Sequence, residues 1–197
     1  VFELMGGAVR NKMRTYPWVG GDIPEAVSQL AKERIDAGFP AVPLTVAGPL
    51  EVHLYLKKIK AIKNNIRMVR EAIGDENDVA IDFHGRVHKN MSKRLMKELE
   101  EFSPMFYEEP LLPEHGRSFG QLNGVTCIPI AAGERLAGRE AFKELIYHAD
   151  IHILQPDISH VGGIMEAKKI ASWAEASDIM MALHCPLGQI EFSAALQ

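Results

Sequence analysis

The chain has 197 residues, of which 47% are hydrophobic and 24% charged, the proportions of a globular protein with one full core. Its net charge of −4 at pH 7 argues against nucleic acid or an anionic membrane surface as a partner. No apolar run approaches the roughly 18 residues of a membrane span, and no signal-peptide pattern is present, so we expect a cytoplasmic protein. The two cysteines, Cys127 and Cys185, have no spacing pattern and are expected to be reduced core thiols.

Strands and helices are predicted to alternate along the chain. The first residues resemble the end of a helix, and we assign residues 1–12 to the tail of a preceding segment. Short apolar runs predict seven strands, at about Met13–Val19, Phe39–Thr45, Val79–Ile81, Met105–Tyr107, Ile128–Gly133, Ile151–Gln155 and Ile179–Leu183. Helical periodicity predicts the connections, at about Asp22–Gly38, Leu50–Ile73, Lys89–Phe102, Glu114–Leu122, Arg139–His148 and Gly163–Ser177, with a further helix beginning near Leu187.

Seven alternating strand–helix units with buried strands favour parallel pairing and right-handed crossovers. Two architectures satisfy this pattern, a TIM-type (β/α) barrel and an open doubly wound sheet. Polar residues follow five different strands, whereas an open sheet gathers its ligand at one crevice, so we favour the barrel. No glycine-rich phosphate loop is present, which argues against a nucleotide cofactor. We therefore predict an α/β fold in which residues 13–197 form an incomplete barrel, a catalytic domain that lacks the eighth strand.

The stretch Asp78–Arg86 carries the first candidate site residues. A short buried strand is followed by Asp82 and His84, and Gly85 then turns the chain. Residues two apart on a strand direct their side chains to the same side. In an α/β barrel, catalytic residues are placed at the carboxyl ends of strands, so this acid and this imidazole are candidates.

The same pattern recurs after the next four strands. Glu108, Glu134, Asp157 and His184 each follow an apolar run, at successive intervals of 26, 26, 23 and 27 residues counted from Asp82. A barrel of roughly 200–250 residues in eight units allows about 25–31 residues for each unit. These polar residues are therefore in phase with a strand–helix repeat, and the pattern predicts one active site at the barrel mouth.

Three of these residues, Asp82, Glu108 and Glu134, are carboxylates on neighbouring strands. Carboxylates that converge repel one another and are not all ionised without a compensating cation. Ligation by oxygen alone suits a hard divalent ion, most naturally Mg²⁺. The alternative is that each acid pairs with a nearby cation such as Arg86 or Arg135, but three acids in phase favour the metal site.

Histidines supply the candidate acid and base. His184 follows the last predicted strand, and Asp157 at the preceding strand end is placed to orient its imidazole and raise its basicity, so we predict a general base. His84, across the mouth, is a candidate general acid. The remaining histidines are interpreted as surface residues, although His160 follows Asp157 closely. They are His53, His88, His115, His148, His152 and His160.

The chain resembles the enolase superfamily in five motifs that occur in one order: Asp82-Phe-His-Gly-Arg86, Glu108-Glu-Pro110, Gly133-Glu-Arg135, Gln155-Pro-Asp157 and His184-Cys-Pro-Leu-Gly188. Within the mandelate racemase group it is most similar to the sugar-acid dehydratases, the D-galactonate dehydratases in particular. The similarity extends to the N-terminal part of the chain, through Leu4-Met-Gly-Gly7 and Trp18-Val-Gly-Gly-Asp22.

The resemblance implies that the three carboxylates hold Mg²⁺. It implies that His184, supported by Asp157, abstracts the α-proton of a sugar acid, and that His84 protonates the departing 3-hydroxyl. The resulting enol would tautomerise to a 2-keto-3-deoxy acid. The resemblance further implies a small-molecule sugar-acid substrate, with D-galactonate the best candidate, and a homo-oligomer.

The chain also departs from this group. Relatives that use a lysine base carry it at the end of the second strand, where this chain reads Val42-Pro-Leu-Thr45, so lysine-dependent racemases and cycloisomerases are disfavoured. The dehydratases usually have a lysine and an asparagine at the positions of Pro43 and Thr45, so different substrate contacts are expected there. The capping domain and last strand of the family have no counterpart in this sequence. Two alternatives stay open: another aldonic-acid dehydratase of the same group, or a non-catalytic barrel fragment that only binds metal.

Overall fold

The computed structural model describes residues 1–45 and 55–197. In these ranges six parallel strands form one sheet, and each strand pairs with the next one along the chain. The strands are β1 (Ala41–Thr45), β2 (Asp78–Asp82), β3 (Tyr107–Glu108), β4 (Ile130–Ala132), β5 (Ile153–Leu154) and β6 (Met180–Met181). Sequential parallel neighbours joined by helical crossovers are the arrangement of a (β/α) barrel wall. The predicted α/β fold of barrel type is therefore confirmed.

Helices cover the connections between strands. The α-helices are α1 (Pro24–Asp36), α2 (Tyr55–Ile73), α3 (Lys89–Leu99), α4 (Lys143–His148), α5 (Ile158–Val161), α6 (Ile164–Ala176) and α7 (Gln189–Ala195). Shorter 3-10 helices occupy Phe2–Met5, Glu100–Phe102, Pro113–Gln121 and Arg139–Phe142. The predicted start of the second helix at Leu50 lies outside the described residues, and α5 was not predicted. Among the residues described, no helix is both long enough and apolar enough to cross a membrane.

The prediction of a first strand at Met13–Val19 is wrong. Only Val19 joins the sheet, through a single parallel bridge with Leu44 in which the Val19 amide donates to the Pro43 carbonyl at 3.1 Å. Pro17 and Pro43 have no amide hydrogen, so a longer ladder would lack donors on both segments. The last four strands are also shorter than predicted, at two or three residues each.

Alternating side chains of the strands build two hydrophobic layers. The outer layer lies between the sheet and its helices and contains Val79 and Ile81 of β2. A smaller inner layer lies on the other face, with Tyr16, Met105 and Ala182 packed against Ala80, Phe106, Ala131 and Ile153. Because side chains on a strand alternate, Asp82 follows Ala80 inward and Glu108 follows Phe106 inward. The inner layer is the floor beneath the predicted site.

Tyr107 ties β3 to α3. Its side chain is fully buried, and its hydroxyl donates to the carbonyl of Met96 at 2.6 Å. We expect Tyr107→Phe, which removes this hydrogen bond, to lower the free energy of unfolding by about 1 kcal/mol. The matched control is Tyr147→Phe on α4, where the side chain is exposed and the change should stay within about 0.5 kcal/mol. Urea titration measures both, and equal midpoints would show that the buried hydrogen bond does not stabilise the fold.

Candidate active site

The register of the sheet sets two predicted metal ligands side by side. Asp82 ends β2 and Glu108 ends β3, and the two residues are direct partners in the pairing of these strands. Both are buried, at 3% and 6% exposure. Thr45, at the end of β1, is the partner of Asp82 on its other side, and its hydroxyl donates to Asp82 Oδ2 at 3.5 Å. Three adjacent strands therefore place polar side chains at one edge of the sheet.

Glu134, the third predicted ligand, lies two residues beyond β4 and is also buried. It follows Gly133, whose φ of 133° is a conformation that other residues rarely adopt. A Cβ at this glycine would lie 2.8 Å from Phe142 Cε1 and 3.2 Å from Gln155 N. The Gly133 amide donates to Glu109 Oε1 at 2.9 Å. This hydrogen bond ties the end of β4, and with it Glu134, to the end of β3.

The charges of the three carboxylates interact. Burial, and then repulsion by Asp82 and Glu134, raises the pKa of Glu108 to about 8. Buried oxygen donors whose charges repel one another fit a hard divalent cation such as Mg²⁺. The side chains as they stand do not surround a single point: within residues 1–45 and 55–197, no three His, Cys, Asp or Glu side chains are grouped closely enough to hold an ion. The oxygen donors are of the type that binds Mg²⁺. In this structure, however, Asp82 and Glu134 are paired with histidines.

His184 and Asp157 face each other in a parallel bridge just beyond β5 and β6. His184 Nδ1 lies 2.9 Å from Asp157 Oδ2, and His184 Nε2 lies 3.3 Å from Glu134 Oε2. Asp157 Oδ1 accepts the amides of Ser159 and His160, at 2.8 and 3.1 Å, and so caps α5. Burial favours a raised pKa for Asp157, but hydrogen bonds, that of His184 foremost, hold the pKa below its usual value. Asp157 therefore remains a carboxylate that orients the imidazole toward Glu134.

His84 is paired with Asp82. Its Nε2 lies 3.0 Å from Asp82 Oδ2, and its amide donates to Asp82 Oδ1 at 2.7 Å. The hydrogen bond with Asp82 raises the pKa of His84, although burial opposes this. The two residues meet as predicted, but through a turn and not through strand alternation, because β2 ends at Asp82 and His84 has a φ of 50°.

Arg135 connects His84 to the third carboxylate. Its guanidinium donates to the His84 carbonyl at 2.8 Å, and its Nε lies 3.2 Å from Glu134 Oε1. Glu134 is therefore paired with a neighbouring arginine. Such pairing is the alternative to metal binding that the sequence left open. The same contact links the ends of β2 and β4 across the site.

Four further residues at this site, for which the sequence predicted no function, are Tyr16, Trp18, Glu109 and Gln155. Glu109 and Gln155 are buried, and each has one side-chain oxygen, Oε2 and Oε1 respectively, without a partner among the described residues. Burial raises the pKa of Glu109 to about 7 and that of Tyr16 to about 12. Trp18 Nε1 donates to the Thr45 hydroxyl at 2.9 Å. Glu109, Gln155 and Trp18 lie inside segments that carry the family resemblance, which was an available signal, whereas no such segment includes Tyr16.

The predicted surface histidines that the structure describes are exposed: His88, His115, His148, His152 and His160. His160 Nδ1 also lies 2.9 Å from the Glu134 carbonyl, so it contacts the backbone of the site. His53 lies outside the described residues. Both cysteines are free, and the prediction of a core position is wrong for Cys127, which is exposed in the loop before β4.

The burial of Glu108 and its repulsion by the neighbouring carboxylates predict a pH dependence of stability. Between pH 4.5, the ordinary pKa, and about 8, the Glu108 carboxyl binds more protons in the folded than in the unfolded state. The free energy of unfolding of the metal-free protein should therefore fall as the pH rises through this interval. One such proton contributes at most about 1.4 kcal/mol per pH unit.

Urea unfolding from pH 5 to 8 in the presence of a chelator tests this expectation. Glu108→Gln should make the decline less steep, with a remainder from Glu109, whose pKa is also raised. Glu175→Gln, an exposed position on α6, should leave the decline unchanged. A decline of the same slope in Glu108→Gln would show that another group titrates.

Comparison with known proteins shows clear relatives. A structure from Burkholderia SAR-1, provisionally assigned as a mandelate racemase/muconate lactonizing enzyme, is 33% identical with a TM-score of 0.92, over 99% of this chain and 52% of its own. The 3,6-anhydro-D-galactonate cycloisomerase from Zobellia galactanivorans is 28% identical with a TM-score of 0.89, over 98% of this chain and 52% of its own. A provisionally assigned dehydratase from Salmonella enterica serovar Typhimurium is 28% identical with a TM-score of 0.89, over 99% of this chain and 55% of its own.

The chain therefore spans about half the length of these solved structures. Its residues 26–197 match the family described as Enolase C-terminal domain-like. This match covers most of the chain, and it agrees with the parallel sheet and with the resemblance noted in the motifs. The chain belongs to the enolase C-terminal domain-like family of the enolase superfamily.

Proposed function

We propose that the protein catalyses the Mg²⁺-dependent dehydration of a sugar acid, with D-galactonate the best candidate, to a 2-keto-3-deoxy acid. The observation that carries the proposal is the placement of His184. One imidazole nitrogen is held by the buried Asp157, and the other is directed at Glu134, beside two further buried carboxylates. An oriented imidazole beside an anionic site is suited to removing a proton from a bound carboxylic acid.

In the proposed reaction, His184 Nε2 takes the α-proton of the substrate. Asp157 accepts a hydrogen bond from Nδ1–H, which fixes the tautomer with a free Nε2 lone pair and stabilises the imidazolium that forms. In the free protein Nε2 lies 3.3 Å from Glu134 Oε2, and this contact marks the direction in which Nε2 faces. His184 is therefore the proposed general base.

His84 is the proposed general acid. Because its pKa is raised, the His84 imidazole keeps its proton to a higher pH than a free histidine does. The electron pair of the α-C–H bond forms the double bond between C2 and C3, the C3–O bond breaks, and the proton from His84 allows the hydroxyl to leave as water. The enol product then tautomerises to the 2-keto acid.

Asp82, Glu108 and Glu134 would hold the cation. Mg²⁺, when bound, supplies positive charge that stabilises the negative charge developing on the substrate carboxylate. The chain itself contributes three buried carboxylates, and the sheet register holds two of them, Asp82 and Glu108, side by side.

A sugar-acid substrate is supported by the name of one relative, a cycloisomerase of an anhydro sugar acid. Dehydration is supported by the name of another, a provisionally assigned dehydratase. A lysine base is not available at the end of β1, where Thr45 instead contacts Asp82 and Trp18. An elimination needs one base and one acid for the leaving group, and His184 and His84 supply this pair.

The full-length protein should be incubated with Mg²⁺ and a panel of aldonic acids that includes D-galactonate, and 2-keto-3-deoxy products detected as semicarbazones. We expect turnover of one or a few acids and a loss of about 10²–10⁴-fold in kcat for His184→Asn. His148→Asn, an exposed histidine on α4, is the matched control and should retain activity.

Each other result contradicts a defined part of the proposal. Turnover that survives His184→Asn would reject the assignment of the base. A rearranged or epimerised product without loss of water would reject dehydration. Tight Mg²⁺ binding without turnover of any acid would support the non-catalytic alternative.

A further inference from the structure

Glu191 is a buried carboxylate for which neither the fold nor the proposed reaction accounts. It lies in the first turn of α7 and is 6% exposed. Its Oε1 accepts the hydroxyl of Ser159 at 2.9 Å, and its Oε2 accepts the amide of Leu187 at 2.7 Å. A charged side chain is rarely buried to this extent unless its oxygens are satisfied in this way.

The two partners of Glu191 belong to the two segments that carry the proposed base and its orienting acid. Ser159 follows Asp157 at the start of α5, and its amide donates to Asp157 Oδ1. Leu187 follows His184 in the loop before α7. Hydrogen bonds therefore run from His184 to Asp157, from Ser159 to Asp157 and to Glu191, and from Leu187 to Glu191. The covalent chain between His184 and Leu187 closes this set into a ring.

The ring contains two buried carboxylates, Asp157 and Glu191, and the thiol of Cys185. Burial, together with the negative charge of Glu191, raises the pKa of Cys185 to about 11, so the thiol within the ring stays neutral. Asp157 and Glu191 are buried in this ring, whereas Ser159 and Leu187 are exposed. The charged acceptors Asp157 and Glu191 strengthen the hydrogen bonds that they receive. Loss of the carboxylate would leave the Ser159 hydroxyl and the Leu187 amide without these acceptors.

We propose that Glu191 is a positioning residue that holds the ends of β5 and β6 together, so that the His184 imidazole keeps its orientation on Asp157. The inference rests on the proposed function of His184 as the base. Glu191 acts on the imidazole through its neighbours: it accepts hydrogen bonds from Ser159 and Leu187, and its side chain also interacts with Asp157. Displacing a reacting group by about 1 Å can lower the reaction rate up to about a hundredfold. Loss of the Glu191 contacts should therefore have a measurable effect on the rate.

A simpler role for Glu191 is a cap of α7, since its Oε2 accepts an amide just before the helix. Capping predicts lower stability and an unchanged His184 environment. A positioning role instead predicts that replacing Glu191 changes the environment of the His184 imidazole. The contact with Ser159, on a different segment, is what separates the two roles.

The test uses the full-length protein labelled with ¹⁵N and the proton NMR signal of His184 Nδ1–H, assigned by its loss in His184→Asn. We expect Glu191→Ala to broaden or shift this signal and to lower kcat by roughly tenfold to a hundredfold, with KM changed much less. Ser159→Ala should give a smaller effect in the same direction. Glu191→Gln keeps one acceptor oxygen and should recover part of the signal and of kcat.

Ile170→Ala is the matched control for stability, because Ile170 is fully buried in α6 and is not one of the hydrogen-bonded residues of the ring. It should lower the melting temperature as Glu191→Ala does but leave the Nδ1–H signal unchanged. An unchanged signal in Glu191→Ala would overturn the positioning role and leave a helix cap. A changed signal in a protein that turns over no sugar acid would uphold the positioning role while rejecting the proposed function.

Discussion

Three carboxylates buried at the ends of adjacent parallel strands are the constraint on which the rest of the site depends. The register that pairs Asp82 with Glu108 leaves no freedom to separate them, and a buried charge needs a partner. Each acid meets this need differently. Asp82 is paired with His84, Glu134 with His184 and Arg135, and Glu108 retains a raised pKa. The same arrangement that costs stability in the free protein is what suits the site to a divalent cation.

The backbone at this edge is correspondingly unusual. A residue with positive φ lies next to or near each of the three acids: His84 at 50°, Glu109 at 41° and Gly133 at 133°. Non-glycine residues adopt this region at a cost, and such residues concentrate at functional sites. Each of the three lies within two residues of the end of a strand. The hydrogen bond from Gly133 to Glu109 joins two of these turns and makes them interdependent.

Much of the fold and of the candidate site was predictable. The repeat of polar residues after apolar runs located Asp82, Glu108, Glu134, Asp157 and His184, and the structure brings them to one end of the sheet. The family comparisons agree with the resemblance at the level of the superfamily, while dehydration remains a proposal. The prediction of a first strand at Met13–Val19 was wrong because Pro17 and Pro43 have no amide hydrogen to donate to a strand ladder. Proline nevertheless looks acceptable in an apolar run of the sequence. Glu191 was missed because its helix pattern does not show that it faces two other loops.

The sequence by itself determined the alternation of strands and helices and the chemical type of residue that ends each strand, because both follow from short-range periodicity. Only the tertiary structure decided which nitrogen faces which carboxylate, that Glu109 holds Gly133, and that Glu191 joins Ser159 to Leu187. The contacts of Glu109 with Gly133 and of Ser159 with Glu191 link residues 24 and 32 positions apart. Local pattern carries no information on side-chain direction over such separations, since that direction is set by the packing of neighbouring strand ends.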